Sequence, residues 1–278
     1  MIIVDFNQVM LSNLLKQIGN HTNSKIEENM VRHMVLNSIR SYKQKYSNEY
    51  GEMIIACDNT NYWRKKIFPY YKANRKKNIE KSELDWKSIF EVMNKLRSEL
   101  KEFFPYKVIN IETAEADDII ATLVMNNLDD ENILILSMDK DFIQLHKYKN
   151  VKQYDPVNKT WITHNNPSLF LKEHIIKGDF GDGIPNVLSS DNCLVIGERQ
   201  KPITKKRLDK LMEVIDDETV QRNYDRNKQL IDLSMVPQNI QEKVMYEFNN
   251  QPIKDRSKLL NYFISNKLKN LTEHMMEF

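Results

Sequence analysis

With 278 residues, an apolar fraction of 41% and a charged fraction of 29%, the chain has the makeup of a globular protein with a sizeable core, which excludes a disordered or fibrous one. The net charge of +2 excludes a uniformly polyanionic or polycationic chain, but hides strong local segregation. Two cysteines exclude a disulfide framework, no apolar run approaches the roughly 20 residues of a membrane span, and MIIVDF lacks the basic region of a signal peptide; a soluble, intracellular protein is expected.

In chain order, Met1–Phe6 predicts a buried strand ending at Asp5, followed by a helix through Leu15. Residues 26–48 predict a second helix, with Met30, Met34, Val35 and Ile39 near helical spacing. Glu52–Asp58 predicts a strand that again ends on an acid, and 83–103 a long helix. A strand is expected over Lys107–Ile111, then a helix from Ala114 to about Asn127 with Thr113 as its N-cap. Asn132–Met138 predicts a strand ending at Asp139, and short strands near Val151–Tyr154 and Thr160–Thr163 complete a sheet. From about Pro167 strand signals fade, and helices are expected over 167–177, 203–215, 218–232, 237–248 and 256–270. The alternation predicts an α/β fold: a mostly parallel central sheet flanked by helices over residues 1–165, with a helical portion over 166–278.

Nine carboxylates fall into five clusters: Asp5; Asp58; Glu115, Asp117 and Asp118; Asp139 and Asp141; Asp179 and Asp182. Asp5, Asp58 and Asp139 sit at strand ends, where open α/β sheets bind ligands. Glu115 and Asp118, three apart, share a helix face, with Asp117 close by. One acid at a helix start is ordinarily a dipole effect, and an Asp-Lys-Asp ordinarily a turn or cap. So many like charges in one place need a counter-ion, and the ordinary one is a divalent cation. Oxygen-only ligation points to Mg²⁺ or Mn²⁺ rather than zinc, with two cations activating water and stabilising the leaving oxygen. Six scattered His residues show no pattern, and no Ser-His-Asp set, Cys-His set or Walker A run is present.

Residues 61–81 hold eight Lys/Arg against one acid, and residues 199–210 hold six against one. A charge run is usually a solvated helix face. In residues 63–77, however, aromatics interleave with the cations, which suits stacking on unpaired bases beside phosphate contacts. An acidic pocket flanked by basic segments suggests metal-dependent chemistry on a phosphate backbone. A ribonuclease of PIN-type architecture and a non-catalytic, structure-specific DNA binder are the alternatives.

The spacing of Arg64, Phe68, Tyr71-Lys72 and Arg75 resembles a segment of the 5′-nuclease, or flap endonuclease, superfamily. EADD at 115–118, DKD at 139–141 and GDFGDGIPNV at 178–187 resemble its other signatures, and the whole length is most similar to its bacteriophage ribonuclease H branch. The resemblance implies a Mg²⁺-dependent 5′→3′ exonuclease and flap endonuclease that removes RNA primers in the cytoplasm of an infected bacterium. It implies that the nine carboxylates form a two-metal site, with Asp5, Asp58, Glu115, Asp117 and Asp139 on the tighter ion and Asp141, Asp179 and Asp182 on the second. Lys72 and Arg75 are implied to approach the scissile phosphate on a basic arch at about 60–95, with Arg64 and Tyr71 beside them. Residues 167–210 are implied to hold duplex DNA through Gly183, Lys201, Lys205, Lys206 and Arg207, with a potassium ion at the helix–loop–helix. Cellular relatives continue directly into a Gly-x-Gly-x-Lys-Thr-like turn, whereas here Leu188–Gln200 intervenes. Expected partners are DNA and RNA–DNA duplexes, 5′ flaps and a single-stranded-DNA-binding protein. A sliding clamp is the less secure partner, since the chain begins almost flush with its first strand. The protein is expected to be a monomer with no membrane association.

Overall fold

A computed structural model describes residues 1–18, 27–82, 84–127, 131–252 and 254–278. Residues 26 and 83, two expected helix starts, and the side chains of Lys76 and Lys77 from the first basic run lie outside the described part.

β1 (Ile2–Asp5) runs into α1 (Phe6–Ile18), then α2 (Glu28–Tyr50), β2 (Met53–Ala56), α3 (Arg64–Ile67), α4 (Ala73–Glu80) and α5 (Trp86–Phe103). β3 (Lys107–Ile109), α6 (Ala116–Asn126), β4 (Ile133–Leu136), a 3₁₀ segment at Lys140–Lys147, β5 (Val151–Asp155) and β6 (Thr160–Ile162) complete the first half. The second half is helical: α7 (Pro167–Lys177), α8 (Cys193–Ile196), α9 (Lys205–Glu213), α10 (Glu218–Ile231), α11 (Gln238–Asn250), α12 (Leu259–Ser265) and α13 (Lys269–Thr272). The strands form one sheet in the order β3-β2-β1-β4-β5-β6, parallel except for β6; the sequence predicts the mostly parallel sheet, but neither the strand order nor the reversed edge strand.

The central strands are continuous apolar runs because both sheet faces are covered. Ile2, Val4, Leu134 and Leu136 point into one core with Val35, Leu36 and Leu96; Ile3, Ile54, Ile133 and Ile135 point into the other with Ile119, Ile120 and Leu123. β1 pairs in register with both neighbours, Ile2 opposite Met53 on one side and Leu134 on the other. Asp5, Asp58 and Asp139 therefore all emerge at the same carboxyl edge.

The helical half does not build only its own core. Leu233, Val236, Ile240 and Val244 join the core beneath α6, while Leu259, Phe263, Leu271 and Phe278 join the core on the opposite face. Among the described residues, two small clusters, around Ile231 and around Val187, sit clear of the sheet. The expected boundary near residue 165 is thus a change of secondary structure, with the C-terminal elements returning to both faces of the sheet.

Two boundaries differ from expectation. Thr113 is not the N-cap of α6: it adopts φ 69°, and Glu115 occupies the cap position. Its carbonyl instead accepts the Trp63 N–H at 2.9 Å, folding residues 110–115 over the segment after β2. The helix expected over 256–270 breaks into α12 and α13 around Lys267, at φ 56°.

Phe263 is fully buried, with its ring centroid 5.3 Å from that of Phe278, whereas its neighbour Ile264 is 63% exposed. Phe263→Ala is expected to cost about 3–5 kcal/mol and Ile264→Ala about 0.5 kcal/mol or less, read by urea denaturation. Equal effects would show that the C-terminal segment is not part of the main core.

Candidate metal centre and nucleic-acid interface

The pocket is built on the backbone geometry of strand ends. Asp5 closes β1, and its carboxylate accepts hydrogen bonds from Ser137 Oγ at 3.0 Å and the Gln8 N–H at 3.2 Å. Asp58, two residues past β2, accepts the Ala116 N–H at 2.7 Å and Asn7 Nδ2 at 3.0 Å. Asp139, three residues past β4, caps the 3₁₀ segment by accepting the Asp141 N–H at 2.9 Å. Asp117, in the first turn of α6, takes no hydrogen bond among the described residues.

These acids press on one another. Burial, then the charges of Asp58 and Asp139, push Asp5 up to about 8. Burial and Asp139 push Asp141 up to about 8, and burial and Asp139 raise Asp117 well above the carboxylate range. Asp58 and Asp139 are raised as well, chiefly by burial.

Glu115 and Asp118 behave differently. Arg64 reaches Glu115 at 2.7 Å and Asp118 at 2.8 Å, while its Nε donates to the Leu230 carbonyl at 2.8 Å. Asp118 also accepts Trp63 Nε1 at 3.0 Å and the Glu115 N–H at 2.8 Å. Against the cost of burial, Lys72 and Arg64 hold Glu115 below the usual carboxylate range. Asp118, expected as a metal ligand, is instead completely buried beneath the pocket, its oxygens taken by Trp63, Arg64 and the backbone. Arg64, expected at nucleic acid, is 2% exposed and serves as the internal counter-ion of these two acids.

The base of the basic segment is clasped to the loop carrying Asp179 and Asp182. Lys72 bonds Glu115 and lies 3.5 Å from Asp182; its own N–H donates to the Asp182 carbonyl at 2.7 Å. Tyr71 OH lies 2.9 Å from carboxylate oxygens of both Glu115 and Asp182, able to donate its one proton to either, and Arg75 bonds Asp182 at 2.6 Å. Asn74 Nδ2 reaches the Phe180 carbonyl at 3.0 Å. Gly183 lies at φ 72°, and a Cβ there would come within 3.1 Å of the Tyr70 carbonyl, so this close approach needs glycine. Gly183 and Tyr71, expected to touch nucleic acid, are occupied by this clasp. Trp63, Phe68 and Tyr71 are buried, so the interleaved aromatics mostly face inward rather than towards bases; Tyr62 is half-buried and Tyr70 exposed.

Beside Asp58 opens a cleft of about 520 Å³ lined by Asn7, Tyr62, Phe90, Asn94 and Arg97 among others. On the other side, α7 ends at Gly178, at φ 69°, where any Cβ would strike the Ile184 carbonyl at 2.5 Å. The chain reverses there and sets Asp179 back against His174, whose Nε2 lies 3.5 Å from Asp179 and 3.6 Å from Asp141. The sequence reading expected no histidine in the pocket. The available signal was the i, i+5 spacing of His174 and Asp179 across a helix-ending glycine. Against the cost of burial, the nearby His174 ring and the Asp182 N–H hold Asp179 below the usual range.

The second basic run stands apart from the acids. Lys205, Lys206 and Arg207 form the first turn of α9, capped by Thr204, and with Lys201 they are exposed and make no ion pair among the described residues. Three cations at a helix N-terminus oppose the dipole, so the stability of that helix does not explain them. The Leu188–Gln200 stretch is tied down: Asn186 N–H donates to Gln200 Oε1 at 2.7 Å, Lys201 N–H to Ser189 Oγ at 2.9 Å, and Asp191 accepts Arg222 and Arg226.

Comparison with known proteins adds an independent line. A family model described as 5′-3′ exonuclease, N-terminal resolvase-like domain, matches residues 1–175, and one described as T4 RNase H, C terminal, matches residues 166–278. The chain is 36% identical over 291 residues to ribonuclease H of Enterobacteria phage T4, covering 99% of this chain and 95% of that one. It is 30% identical over 162 residues to a 5′-3′ exonuclease of Buchnera aphidicola, covering 55% of this chain and 54% of the relative. The flap endonuclease of bacteriophage T5, solved with DNA and metal ions, shares the fold at a TM-score of 0.64 and 20% identity, covering 89% of this chain and 97% of that chain. A zinc-bound form of the T5 5′-exonuclease superposes at a TM-score of 0.62 and 19% identity, covering 90% and 98%. The chain therefore belongs to the 5′-3′ exonuclease family, with the C-terminal region of phage T4 ribonuclease H, and is a nuclease.

Proposed function

We propose that this nuclease is a Mg²⁺-dependent 5′→3′ exonuclease and flap endonuclease acting on RNA–DNA and DNA duplexes, and that it removes RNA primers during phage lagging-strand synthesis in the infected host's cytoplasm. The observation that carries this reading is the set of carboxylates raised by burial and by one another's charge at the sheet edge, beneath a basic segment. Such a donor set fits hard divalent cations, with Mn²⁺ able to replace Mg²⁺. In this reading Asp5, Asp58, Glu115, Asp117 and Asp139 hold one ion, and Asp141, Asp179 and Asp182 the other, partly through waters. Bound there, two divalent cations supply an activated water and positive charge for the leaving oxygen.

The remaining roles fall to this chain's own side chains. Lys72 lies between Glu115 and Asp182, so as those carboxylates engage cations its ammonium becomes available to a non-bridging oxygen of the scissile phosphate. Arg75, half exposed beside it, holds the neighbouring phosphate. The cleft by Asp58, with Tyr62, Phe90 and Arg97, receives the unpaired 5′ strand. Lys201, Lys205, Lys206 and Arg207 hold duplex phosphates, which makes affinity fall with salt. The T4 relative's name and the T5 protein's complex with DNA and metal ions support the substrate class. A single-stranded-DNA-binding protein is the expected partner of a monomeric enzyme.

Asp117→Asn is expected to reduce cleavage of a 5′-labelled flap substrate by about a thousandfold or more while leaving DNA binding intact or tighter, because a negative charge near phosphate is lost. Unchanged turnover would remove Asp117 from the metal site.

Lys72→Ala is expected to lower single-turnover cleavage by about a hundredfold with little change in duplex affinity. A loss confined to affinity would move Lys72 to the binding surface.

Asp5 and Asp141 sit near 8 against an ordinary 3.8. The folded state therefore binds more protons across that interval, and stability falls as pH rises through it. The metal-free protein is expected to melt lower at about pH 8 than at about pH 5, and millimolar Mg²⁺ to raise Tm more at the higher pH. A Tm independent of both pH and Mg²⁺ would contradict a clustered site.

A further inference from the structure

We propose that Asp141, His174 and Asp179 form a mixed nitrogen–oxygen cation site, and that His174 gives it a preference for Mn²⁺, Co²⁺ or Zn²⁺ over Mg²⁺. The proposal rests on the nuclease reading above and gives its two cation positions unlike chemistry. Asp5, Asp58, Asp117 and Asp139 offer only oxygen. His174 adds an imidazole to the other group.

The geometry is that of donors around one ion. One ligand atom from each of the three residues lies within 4.8 Å of the other two. Donors sharing a cation at about 2.1 Å stand about 3.0–3.4 Å apart, depending on coordination number. The Nε2–carboxylate separations of 3.5 and 3.6 Å need only a few tenths of an ångström of closure. Those separations are long for hydrogen bonds, and Nε2 is buried without a hydrogen-bond partner. A buried polar atom left unpaired is costly unless something else satisfies it.

The ring is held in place by the fold. α7 packs directly on the 3₁₀ segment that carries Asp141, and the Gly178 reversal brings Asp179 up to the same ring. The Phe170 ring backs the imidazole, with centroids 5.8 Å apart. Imidazole suits zinc and the later first-row metals, whereas carboxylate-only sites suit Mg²⁺ and Mn²⁺. Lys72, the internal cation of the pocket, lies on Glu115 and Asp182 and does not compete for this group.

The test uses Mn²⁺ and the full chain. Mn²⁺ is titrated by electron paramagnetic resonance, and directly bound nitrogen is read from electron spin-echo modulation. Wild type is expected to show bound nitrogen, and Asp5→Asn to keep it. His174→Gln is expected to lose the nitrogen signal, to bind Mn²⁺ at this site about 10–100-fold more weakly, and to let millimolar Mg²⁺ displace it. Should that variant fail to fold, the wild-type nitrogen signal decides. Mn²⁺ bound to wild type without nitrogen would overturn this proposal alone and leave the ring as a protonated bridge between two acids. No bound Mn²⁺ at all would overturn the two-cation reading as well.

Discussion

Carboxylates gathered at the mouth of a parallel sheet repel one another, and most of the local structure around this pocket offsets that repulsion. Two like charges 4 Å apart cost about 4 kcal/mol at an effective dielectric of 20, against a whole-domain stability of about 5–15 kcal/mol. Several such pairs cannot all be ionised without help. Part of the help is local: backbone N–H groups and short polar side chains point at Asp5, Asp58 and Asp139. Part is ionic: Arg64 and Lys72 are drawn inside. What remains appears as carboxyl groups that hold protons near neutral pH, the state a divalent cation would relieve.

Arg64 shows why the basic segment has two jobs. A planar guanidinium can address Glu115, Asp118 and the Leu230 carbonyl at once, which a lysine cannot. It therefore fixes the start of α6 and ties it to the end of α10. Lys72 and Arg75, a few residues on, are attached through Asp182 and remain close to the open side of the pocket. A single basic run thus contains internal counter-ions, Arg64 and Lys72, and an exposed cation, Arg75.

The sheet was legible because its central strands are unbroken apolar runs, and the strand-end position of Asp5, Asp58 and Asp139 followed directly. Helix ends were harder to read. Thr113 has the side chain of an N-cap, but its carbonyl is claimed by Trp63, a contact fifty residues away in sequence. The shared face of Glu115 and Asp118 was also legible; that their common cation is Arg64 was not, because the charge of Arg64 looks the same in sequence as that of its exposed neighbours Lys65 and Lys66. Interleaved aromatics suggested base stacking, yet Trp63, Phe68 and Tyr71 face inward. His174 escaped notice because its proximity to Asp141 depends on how α7 lies against the 3₁₀ segment, a tertiary fact. The return of α11 and α12 to the sheet was hidden for the same reason: amphipathic helices do not state which surface they cover.

The clasp between residues 70–75 and 179–183 has a mechanical consequence. The loop 179–183 continues from α7, the helix that also packs against α9 with its exposed cations. A displacement of α7 would be carried, through a few hydrogen bonds and one glycine contact, to the Lys72 ammonium facing the acids. The helical half and the acidic pocket are thereby joined through one short loop, so neither can shift without straining the other's contacts.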